Sequence, residues 1–437
     1  MSTSATSAAP GEWTAPAAGN LLVAAAILGL FLFACLGSAM RKEVTTGFDE
    51  PAHISYVAHI QRSGDVWPEL KTMRLLDPRT FQFTAAPNYL NHPPLFYALL
   101  AAIGPRLEGR PQALWIDRLI DVALVALGLG ALLLIGLDAK FSRLEFWAYA
   151  MPLAFIPVLV QLAAAVNNDD LAFLGGALAT LGLWQLMASG RGGWLALALA
   201  LAGTVAAAWA KLTGLLLTAP MVSIVLAYLA WRGRLRWSWA AAAACAFVLA
   251  AAPYVVYIVQ YGSPTPETPA QIALLQDGAR AVGWADLPRK SFPAYAAYFA
   301  VAFLTHWMPV LGARSAFNYA MLALPATTLL AALAGVALSL RRAWRRQETR
   351  LDVIVIAGAV ALAATLALHV GHSYGRHLAT GWMMDAYPRY YLPLAAIVPL
   401  ACLSLLAAIE TPRWRTGLLA LLIAGPVLFR IFGAPLA

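Results

Sequence analysis

The chain has 437 residues, of which 61% are hydrophobic and only 12% are charged, and its mean hydropathy is +0.70. A soluble domain is roughly half apolar and about a quarter charged, so this chain has too few charges to cover a water-exposed surface. The composition also excludes a disordered chain, a collagen-like chain and a disulfide-rich scaffold. The net charge of +9 is explained by basic loops of a membrane protein, and no nucleic acid partner is expected.

The N-terminal segment, residues 1–19, is rich in Ser, Thr, Ala, Pro and Gly and contains no Lys or Arg. Because a cleaved signal peptide starts with basic residues, we expect a disordered tail followed by a retained membrane helix. The remainder, residues 20–437, is expected to form a single transmembrane domain.

Apolar runs long enough to cross about 30 Å of hydrocarbon recur along the chain, without the alternating pattern of barrel strands. A backbone in lipid must satisfy its own hydrogen bonds, so these runs predict an all-α polytopic membrane protein with about eleven transmembrane helices. The predicted spans are 20–40, 112–137, 144–165, 171–188, 194–210, 213–231, 237–259, 317–340, 353–370, 389–409 and 416–433.

Basic residues in the short loops predict the orientation of these helices. With the N-terminus in the cytoplasm, thirteen Lys and Arg residues fall in cytoplasmic turns and four in the short outer loops and C-terminal tail. The larger outer loops are then 41–111 and 260–316. Two further apolar segments, 93–104 and 292–311, are expected to lie as helices at the outer interface. The thirteen are Lys140, Arg143, Arg191, Arg232, Arg234, Arg236, Arg341, Arg342, Arg345, Arg346, Arg350, Arg413 and Arg415.

The first outer loop carries the sequence GFDEPAH over residues 47–53. Pro51 is favoured in the first turn of a helix, which would place Asp49 and His53 on one helix face because they are four residues apart. Two interpretations are open. Asp49 or Glu50 caps this helix, or Asp49, Glu50 and His53 form a catalytic group that moves protons.

A second acidic motif, NNDD at 167–170, lies between two long apolar runs. It is also a good helix start, so a capping turn is again the alternative. The predicted topology puts Asn168, Asp169 and Asp170 on the same outer face as the first motif. Two carboxylate sites on one face can divide labour, one deprotonating an acceptor and the other holding a metal or a hydroxyl.

Basic residues form the third feature of the outer face. Lys211 in AWAKLTGLL and Arg389 in DAYPRYYLPL could each be a snorkelling anchor. They could instead bind a lipid phosphate, which the planar guanidinium of arginine fits well. Weaker candidates are His92, Arg74, Arg376, His377 and His306, whereas His59 is expected to be a surface residue.

Five stretches, in this order, resemble the GT-C fold of integral membrane glycosyltransferases. They are GFDEPAHISYVAHIQRSGDVWP after the first span, NHPPLFYALLAAIG at the end of the first loop, NNDDLAFLGGALA, AKLTG and PRYYLPL. The resemblance is to enzymes that use polyprenyl-phosphate sugars, near the protein O-mannosyltransferases and the aminoarabinose transferases, and to a bacterial membrane branch of that group. It covers roughly residues 20–410.

The resemblance implies roles for individual residues. Asp49 matches the first-loop acid that acts as general base or positions the acceptor, and Glu50 is its neighbour in that motif. Asp169 or Asp170 matches the second-loop acid, which in some members helps to bind a divalent metal. Asp49, Asp169 and Asp170 are therefore candidate ligands for Mg²⁺, Mn²⁺ or Zn²⁺. Arg389 and Lys211 match basic positions suited to the donor phosphate.

Larger relatives often use a soluble outer domain for protein acceptors; from a sequence that ends at Ala437 we expect no such domain, which puts a protein acceptor in doubt. The acceptor stays open between an envelope glycan, a lipid and a protein. Membrane lipids and a polyprenyl-phosphate-linked sugar donor are the other expected partners.

The chemistry that these residues suggest is glycosyl transfer at the outer, periplasmic face of a bacterial inner membrane. Cations stabilise the departing phosphate while a carboxylate takes the proton of the acceptor, and direct attack inverts the anomeric configuration. The alternative is a polytopic transporter or a flippase for lipid-linked sugars. Such proteins carry polar groups near the membrane midplane and often show repeated halves, whereas the acids of this chain gather at one face.

Overall fold

Helices make up most of the computed structural model, which describes residues 18–188, 193–306, 320–383 and 386–433. Residues 1–17 of the predicted tail lie outside the described residues. The helices are α1 (Ala18–Arg41), α2 (Glu50–Ser63), α3 (Leu95–Ile103), α4 (Leu114–Asp138), α5 (Arg143–Ala154), α6 (Pro157–Ala163), α7 (Asp169–Ala188), α8 (Trp194–Ala210), α9 (Leu212–Trp231), α10 (Trp237–Tyr261), α11 (Pro269–Ala281), α12 (Phe292–Thr305), α13 (Ala323–Trp344), α14 (Arg350–Thr380), α15 (Ile397–Leu406) and α16 (Pro412–Leu428).

The predicted all-α membrane fold is confirmed, and the protein crosses the membrane several times. Among the described residues, eight helices are long and apolar enough to span: α1, α4, α7, α9, α10, α13, α14 and α16. The 3-10 segment Pro388–Leu394 and α15 meet at an angle of 66° and make a ninth span if the two cross the membrane together. Prolines lack the N–H that continues a helix, which explains a break in this proline-containing segment.

The two remaining predicted spans have a different form from a single long helix. The run 144–165 is divided into α5 and α6, and Pro157 begins the second of them. The residue before a proline is disfavoured in helical conformation, so the chain leaves the helix at this point. The run 194–210 forms α8, which has 17 residues. The structure therefore has eight or nine membrane-length helices where the sequence predicts eleven.

The loop between α1 and α4, which the sequence predicts to be the first outer loop, is folded. It contains α2, α3 and an antiparallel two-stranded sheet formed by β1 (Arg74–Leu76) and β2 (Phe83–Pro87). The segment 93–104 forms α3, which has only nine residues and is too short to span, as predicted. The segment 292–311 forms α12, of 14 residues, and residues 307–311 lie outside the described part of the chain.

The two ends of the bundle differ in composition. Four exposed tryptophans lie at helix ends next to basic turns: Trp231, Trp237, Trp344 and Trp414. Tryptophan is enriched at membrane–water interfaces, so this end has the composition of an interface. The acidic motifs lie at the opposite end, where α1 ends and where α4, α7 and α9 begin.

Helix α7 lies at the centre of the bundle, and sixteen of its twenty residues are buried. It packs against α4, α8 and the 3-10 segment Pro388–Leu394. Gly176 permits the close approach of this segment, because a Cβ at that position would lie 2.1 Å from the carbonyl oxygen of Pro393. Small residues at helix contacts are the usual means of close packing in membranes. Gly176 therefore sets the position of the segment that carries Arg389.

We expect Gly176→Ala to lower the free energy of unfolding by about 1–3 kcal/mol, because the added methyl group meets backbone rather than a movable side chain. Thermal unfolding of the purified protein in detergent measures this change. Gly130→Ala is the matched control, since no atom lies within 4 Å of a Cβ added there. Equal melting temperatures for the two variants would contradict this interpretation.

Candidate active site

The first acidic motif is held in a backbone conformation that most side chains avoid. Gly47, Phe48 and Asp49 have φ values of 92°, 62° and 57°, all in the left-handed region. Such a conformation costs about 1–3 kcal/mol for each non-glycine residue and persists only where the surroundings enforce it. The carbonyl oxygen of Phe48 accepts a hydrogen bond of 2.8 Å from the side chain of Asn167. Asn167 of the second acidic motif thus holds the backbone of the first acidic motif in this conformation.

Asp49 lies at the N-cap position of α2, but its side chain makes no capping hydrogen bond. Its Oδ1 accepts a hydrogen bond of 3.0 Å from the hydroxyl of Tyr89, and its Oδ2 lies 3.5 Å from Nη2 of Arg389. The side chain is 45% exposed. Asp49 is thus a carboxylate that is held by two partners and still reachable from outside.

Glu50 has a different environment from its neighbour. Its side chain is fully buried, and Arg118 of α4 binds both carboxylate oxygens, at 2.8 and 2.6 Å. Glu50 Oε1 also accepts a hydrogen bond of 2.9 Å from the backbone N–H of Val166, just before the second acidic motif. Arg118 in turn donates to the carbonyl oxygens of Ala39 and Lys42. Glu50 therefore joins the first loop to the bundle and does not face solvent.

The ring of His53 is also buried. Its Nδ1 lies 2.9 Å from the hydroxyl of Tyr97, and its Nε2 lies 3.2 Å from Nδ2 of Asn167. The ring of His92 is stacked against it with centroids 6.1 Å apart. Burial lowers the pKa of both imidazoles well below 6.5, and the charges of Lys211 and Arg389 lower both pKa values further. His53 is neutral, and hydrogen bonds to Tyr97 and Asn167 engage both of its ring nitrogens.

The second acidic motif lies at the start of α7, and each of its residues has a different environment. The side chain of Asn168 donates a hydrogen bond of 2.7 Å to the carbonyl oxygen of Ala210, the last residue of α8. Asp169 is 3% exposed and binds Nζ of Lys211 at 2.8 Å. Asp170 is fully buried, and neither of its carboxylate oxygens has a hydrogen-bond partner among the described residues. Asp169 is therefore the carboxylate of this motif that belongs to the site.

The two cations predicted to bind phosphate lie together. Lys211 occupies the extended junction between α8 and α9, and its Nζ lies 3.9 Å from the centroid of the Tyr390 ring. Arg389 lies between the two acidic motifs, with its Nε 3.6 Å from Oδ2 of Asp169 and its Nη2 near Asp49. Two carboxylates and two cations therefore meet in one cluster, which we call the charge cluster: Asp49, Asp169, Lys211 and Arg389.

The three predicted metal ligands do not form one ligand set in this arrangement. Asp49 and Asp169 are engaged by cationic side chains, and Asp170 is buried with no hydrogen-bond partner for its carboxylate among the described residues. Among the described residues, no group of three or more His, Cys, Asp and Glu side chains is placed to hold a metal ion. The residues as placed do not fit the predicted metal site, and the dependence on a divalent metal stays a prediction of the sequence.

The weaker candidates lie at other places. Arg74 donates to the carbonyl oxygens of Lys71 and Met73 at the start of β1. Arg376 pairs with Glu267 at 3.0 Å, and His377 accepts a hydrogen bond from the backbone N–H of Lys290. His306 contacts the carbonyl oxygen of Ala386 at 2.9 Å, and His59 is a half-buried residue of α2.

Sequence reasoning missed several residues that shape the charge cluster. Tyr89 binds Asp49, Arg118 binds Glu50, and Asn167 contacts both motifs. The ring of Phe48 lies 4.2 Å from Nζ of Lys42 and 5.2 Å from the guanidinium carbon of Arg389. A bulky residue between Gly47 and Asp49 gives no sign of this role, because the role depends on a positive φ that only the fold imposes.

An apolar cavity adjoins the segment that carries Arg389. Its volume is about 430 Å³, and its lining is almost entirely apolar. Pro388, Tyr391 and Leu392 form one wall, and residues of α13, α14, α15 and α16 form the others. The cavity and the charge cluster therefore share the 3-10 segment Pro388–Leu394 as a boundary.

No family model and no curated protein sequence matches this chain. Solved structures match its fold. The Archaeoglobus fulgidus oligosaccharyltransferase in the apo form has a TM-score of 0.53 at 13% identity, over 94% of this chain and 55% of that one. AglB from the same organism, in complex with an inhibitory peptide and a dolichol-phosphate, has a TM-score of 0.55 at 13% identity, over 95% and 56%.

ArnT from Cupriavidus metallidurans, bound to undecaprenyl phosphate, has a TM-score of 0.49 at 17% identity, over 92% of this chain and 62% of that one. This chain therefore spans between 55% and 62% of the length of these three structures. The two archaeal structures define the class of the fold. This protein is a polytopic membrane protein with the GT-C fold of integral membrane glycosyltransferases.

We expect Glu50→Gln to lower the free energy of unfolding by about 3–5 kcal/mol, because it leaves the buried charge of Arg118 without a counter-ion. The measurement is thermal or denaturant unfolding in detergent. Glu108→Gln is the matched control, since Glu108 pairs at 3.6 Å with Arg62, whose side chain is 59% exposed. That control is expected to change stability by less than about 1 kcal/mol. A small effect of Glu50→Gln would show that the pair does not hold the loop.

We expect His53 to make a contribution to the free energy of unfolding that is lost as the pH falls below the unfolded pKa of histidine. The folded pKa of His53 lies well below 6.5, so the unfolded chain binds more protons below that pH than the folded protein does. Each such histidine makes the free energy of unfolding fall by up to about 1.4 kcal/mol per pH unit. Thermal unfolding between pH 7.5 and pH 5 measures the slope, which His53→Gln should reduce. An unchanged slope in that variant would contradict the assignment.

Proposed function

We propose that this protein is a glycosyltransferase that moves a sugar from a polyprenyl-phosphate donor to an acceptor at the outer face of a bacterial inner membrane. One observation carries the proposal. Arg389 lies between a reachable carboxylate, Asp49, and a buried carboxylate, Asp169, at the edge of an apolar cavity. Cation, carboxylate and apolar cavity are the three elements that such a transfer needs.

The phosphate of the donor is expected to bind Lys211 and Arg389. Both side chains are mostly withdrawn from water, each only 11% exposed. Charge-assisted hydrogen bonds to phosphate are strong, and the planar guanidinium can make two of them at once. In the absence of donor, Asp169 and Asp49 neutralise these cations. A phosphate therefore enters a site whose cations are already held in place.

The lipid tail of the donor is expected to lie in the apolar cavity. The wall formed by Pro388, Tyr391 and Leu392 connects the cavity to the neighbouring Arg389. The fold neighbours with polyprenyl ligands support a carrier of this kind: ArnT was solved with undecaprenyl phosphate and AglB with a dolichol-phosphate. For this chain the carrier and its sugar are part of the proposal.

The reaction follows from the charge cluster. Phosphate binding to Arg389 competes with its contact to Asp49, which leaves this carboxylate free to accept a proton. The acceptor oxygen attacks the anomeric carbon, the bond between that carbon and the phosphate oxygen breaks, and its electron pair leaves with the polyprenyl phosphate. Asp49 takes the acceptor proton, and Lys211 and Arg389 stabilise the charge on the leaving phosphate. A single displacement of this kind inverts the anomeric configuration.

The orientation completes the proposal. Basic turns lie at the end of the bundle opposite to the charge cluster, and basic loops stay in the cytoplasm. The N-terminus is then cytoplasmic and the charge cluster faces the periplasm. An envelope glycan, a lipid or a protein can reach Asp49 from that side.

We expect the purified protein in lipid nanodiscs to release free polyprenyl phosphate from one member of a panel of polyprenyl-phosphate sugars, given a crude envelope extract as acceptor. Mass spectrometry detects the product. Asp49→Asn should reduce the rate by about 100-fold or more, because it removes the group that accepts the proton. Chelation with EDTA in the same assay tests the dependence on a divalent metal.

Asp65→Asn is the matched control, because Asp65 is an exposed carboxylate of the same loop whose Oδ1 accepts a hydrogen bond from Trp67. It should release product at the wild-type rate. Release that persists in Asp49→Asn would show that Asp49 does not accept the acceptor proton. No release with any donor, together with movement of lipid-linked sugar across the bilayer, would show that the protein is a flippase and not a glycosyltransferase.

A further inference from the structure

Asn167 contacts both acidic motifs through one buried amide. We propose that Asn167 is a positioning residue that fixes the carboxylates of Asp49 and Asp169 relative to each other. Its side chain is 1% exposed, and it makes three hydrogen-bonding contacts. The expected effect on turnover rests on the proposed function. The positioning of the two carboxylates does not depend on it.

The first contact holds the turn that carries Asp49. Asn167 Nδ2 donates to the carbonyl oxygen of Phe48 at 2.8 Å. That oxygen belongs to the peptide group that joins Phe48 to Asp49, and both residues have a positive φ. Because L-residues leave this conformation readily, a bond at this peptide group decides where Asp49 points.

The second contact holds Asp169. Asn167 Oδ1 accepts a hydrogen bond of 2.8 Å from the backbone N–H of Asp169, which is the Asx turn that commonly starts a helix. This bond fixes the first residue of α7. The carboxylate of Asp169 then reaches Lys211 at 2.8 Å.

The first two contacts fix which way the amide is turned, because the Phe48 carbonyl oxygen can only accept and the Asp169 N–H can only donate. The third contact, to His53, agrees with this orientation. Nδ2 lies 3.2 Å from Nε2 of His53, and the lowered pKa of His53 leaves that ring neutral. The ring nitrogen therefore accepts the second hydrogen of the amide, while Nδ1–H of the ring faces the hydroxyl of Tyr97. A reversed amide would place Oδ1 against the Phe48 carbonyl oxygen and Nδ2 against the backbone N–H of Asp169.

These contacts require an asparagine, because one group must donate twice and accept once at fixed positions. Aspartate at this position keeps the acceptor for the Asp169 N–H but loses both donated hydrogen bonds. Alanine loses all three. We call the hydrogen bond from Asn167 to the Phe48 carbonyl oxygen the tether to Asp49, and the hydrogen bond from the Asp169 N–H to Asn167 the tether to Asp169. The two substitutions therefore separate the effects of these two tethers.

Hydrogen–deuterium exchange with mass spectrometry tests the tethers in nanodiscs without any donor. Asn167→Ala should speed exchange by about tenfold or more in peptides covering 47–53 and 167–172, because local opening becomes easier. Asn167→Asp should speed exchange only in 47–53, where the N–H groups of Ala52 and His53 bond to the Asp49 carbonyl oxygen.

The control is Asn20→Ala, which removes another buried amide-to-carbonyl hydrogen bond, from Asn20 to Phe141 at the other end of the bundle. It should leave exchange unchanged in both peptides. Wild-type exchange in both peptides of Asn167→Ala would overturn the proposal. If that variant does not fold, Asn167→Asp decides: faster exchange confined to 47–53 supports the proposal, and wild-type or uniformly faster exchange overturns it.

A functional readout separates positioning from stability. Undecaprenyl phosphate, titrated into nanodiscs and followed by native mass spectrometry, should lose less affinity for Asn167→Asp than this variant loses in kcat. The hydrogen bond to Asp169 is kept, and only the added carboxylate charge opposes the phosphate. With a donor that the wild type uses, the same variant should lose about tenfold or more in kcat, because a misplaced base costs rate rather than affinity. Equal losses in affinity and kcat would overturn the positioning role. Absence of any usable donor would refute the proposed function and leave the exchange result valid.

Discussion

The buried ion pair between Glu50 and Arg118 is the interaction on which the rest of the site depends. A charge in such surroundings is costly unless it is paired and fully hydrogen-bonded, and here both conditions are met. Arg118 binds both oxygens of Glu50 and the carbonyl oxygens at the end of α1, and Glu50 also binds the N–H of Val166. One pair thus connects α1, α2, α4 and the start of α7 at the same end of the bundle.

Around this fixed pair, the charge cluster has no net charge when its four residues are ionised. Asp49 and Asp169 balance Lys211 and Arg389, so the cluster can exist at the edge of a membrane without bound ligand. The contacts of Arg389 are long, at 3.5 and 3.6 Å, whereas Lys211 holds Asp169 at 2.8 Å. Arg389 is the more weakly held cation, and it is the one that borders the apolar cavity. This difference suits a group that exchanges a carboxylate for a phosphate.

The loop and the bundle both contribute to the site. Asp49 and Tyr89 come from the folded first loop, whereas Asp169, Lys211 and Arg389 come from helix ends. Close packing makes this meeting possible, because Gly176 lets the segment Pro388–Leu394 approach α7. Asn167 then connects the loop and the bundle through single hydrogen bonds.

The sequence by itself determined the all-α membrane fold and the short form of α3, and it named the four members of the charge cluster within a larger set of candidates. Long apolar runs form helices in lipid, because a helix satisfies all of its backbone hydrogen bonds internally. Isolated charges at the ends of such runs are easily recognised. It did not distinguish Asp49 from Glu50, which are adjacent and chemically alike. Only the tertiary structure separated them, because the positive φ at Asp49 leaves its side chain half-exposed while Glu50 turns towards Arg118. Tyr89 and Asn167 were likewise decided by the fold, since they meet Asp49 and Phe48 across 40 and 119 residues of chain. No local pattern encodes a contact at such a separation; packing and the need to pair buried polar groups decide it.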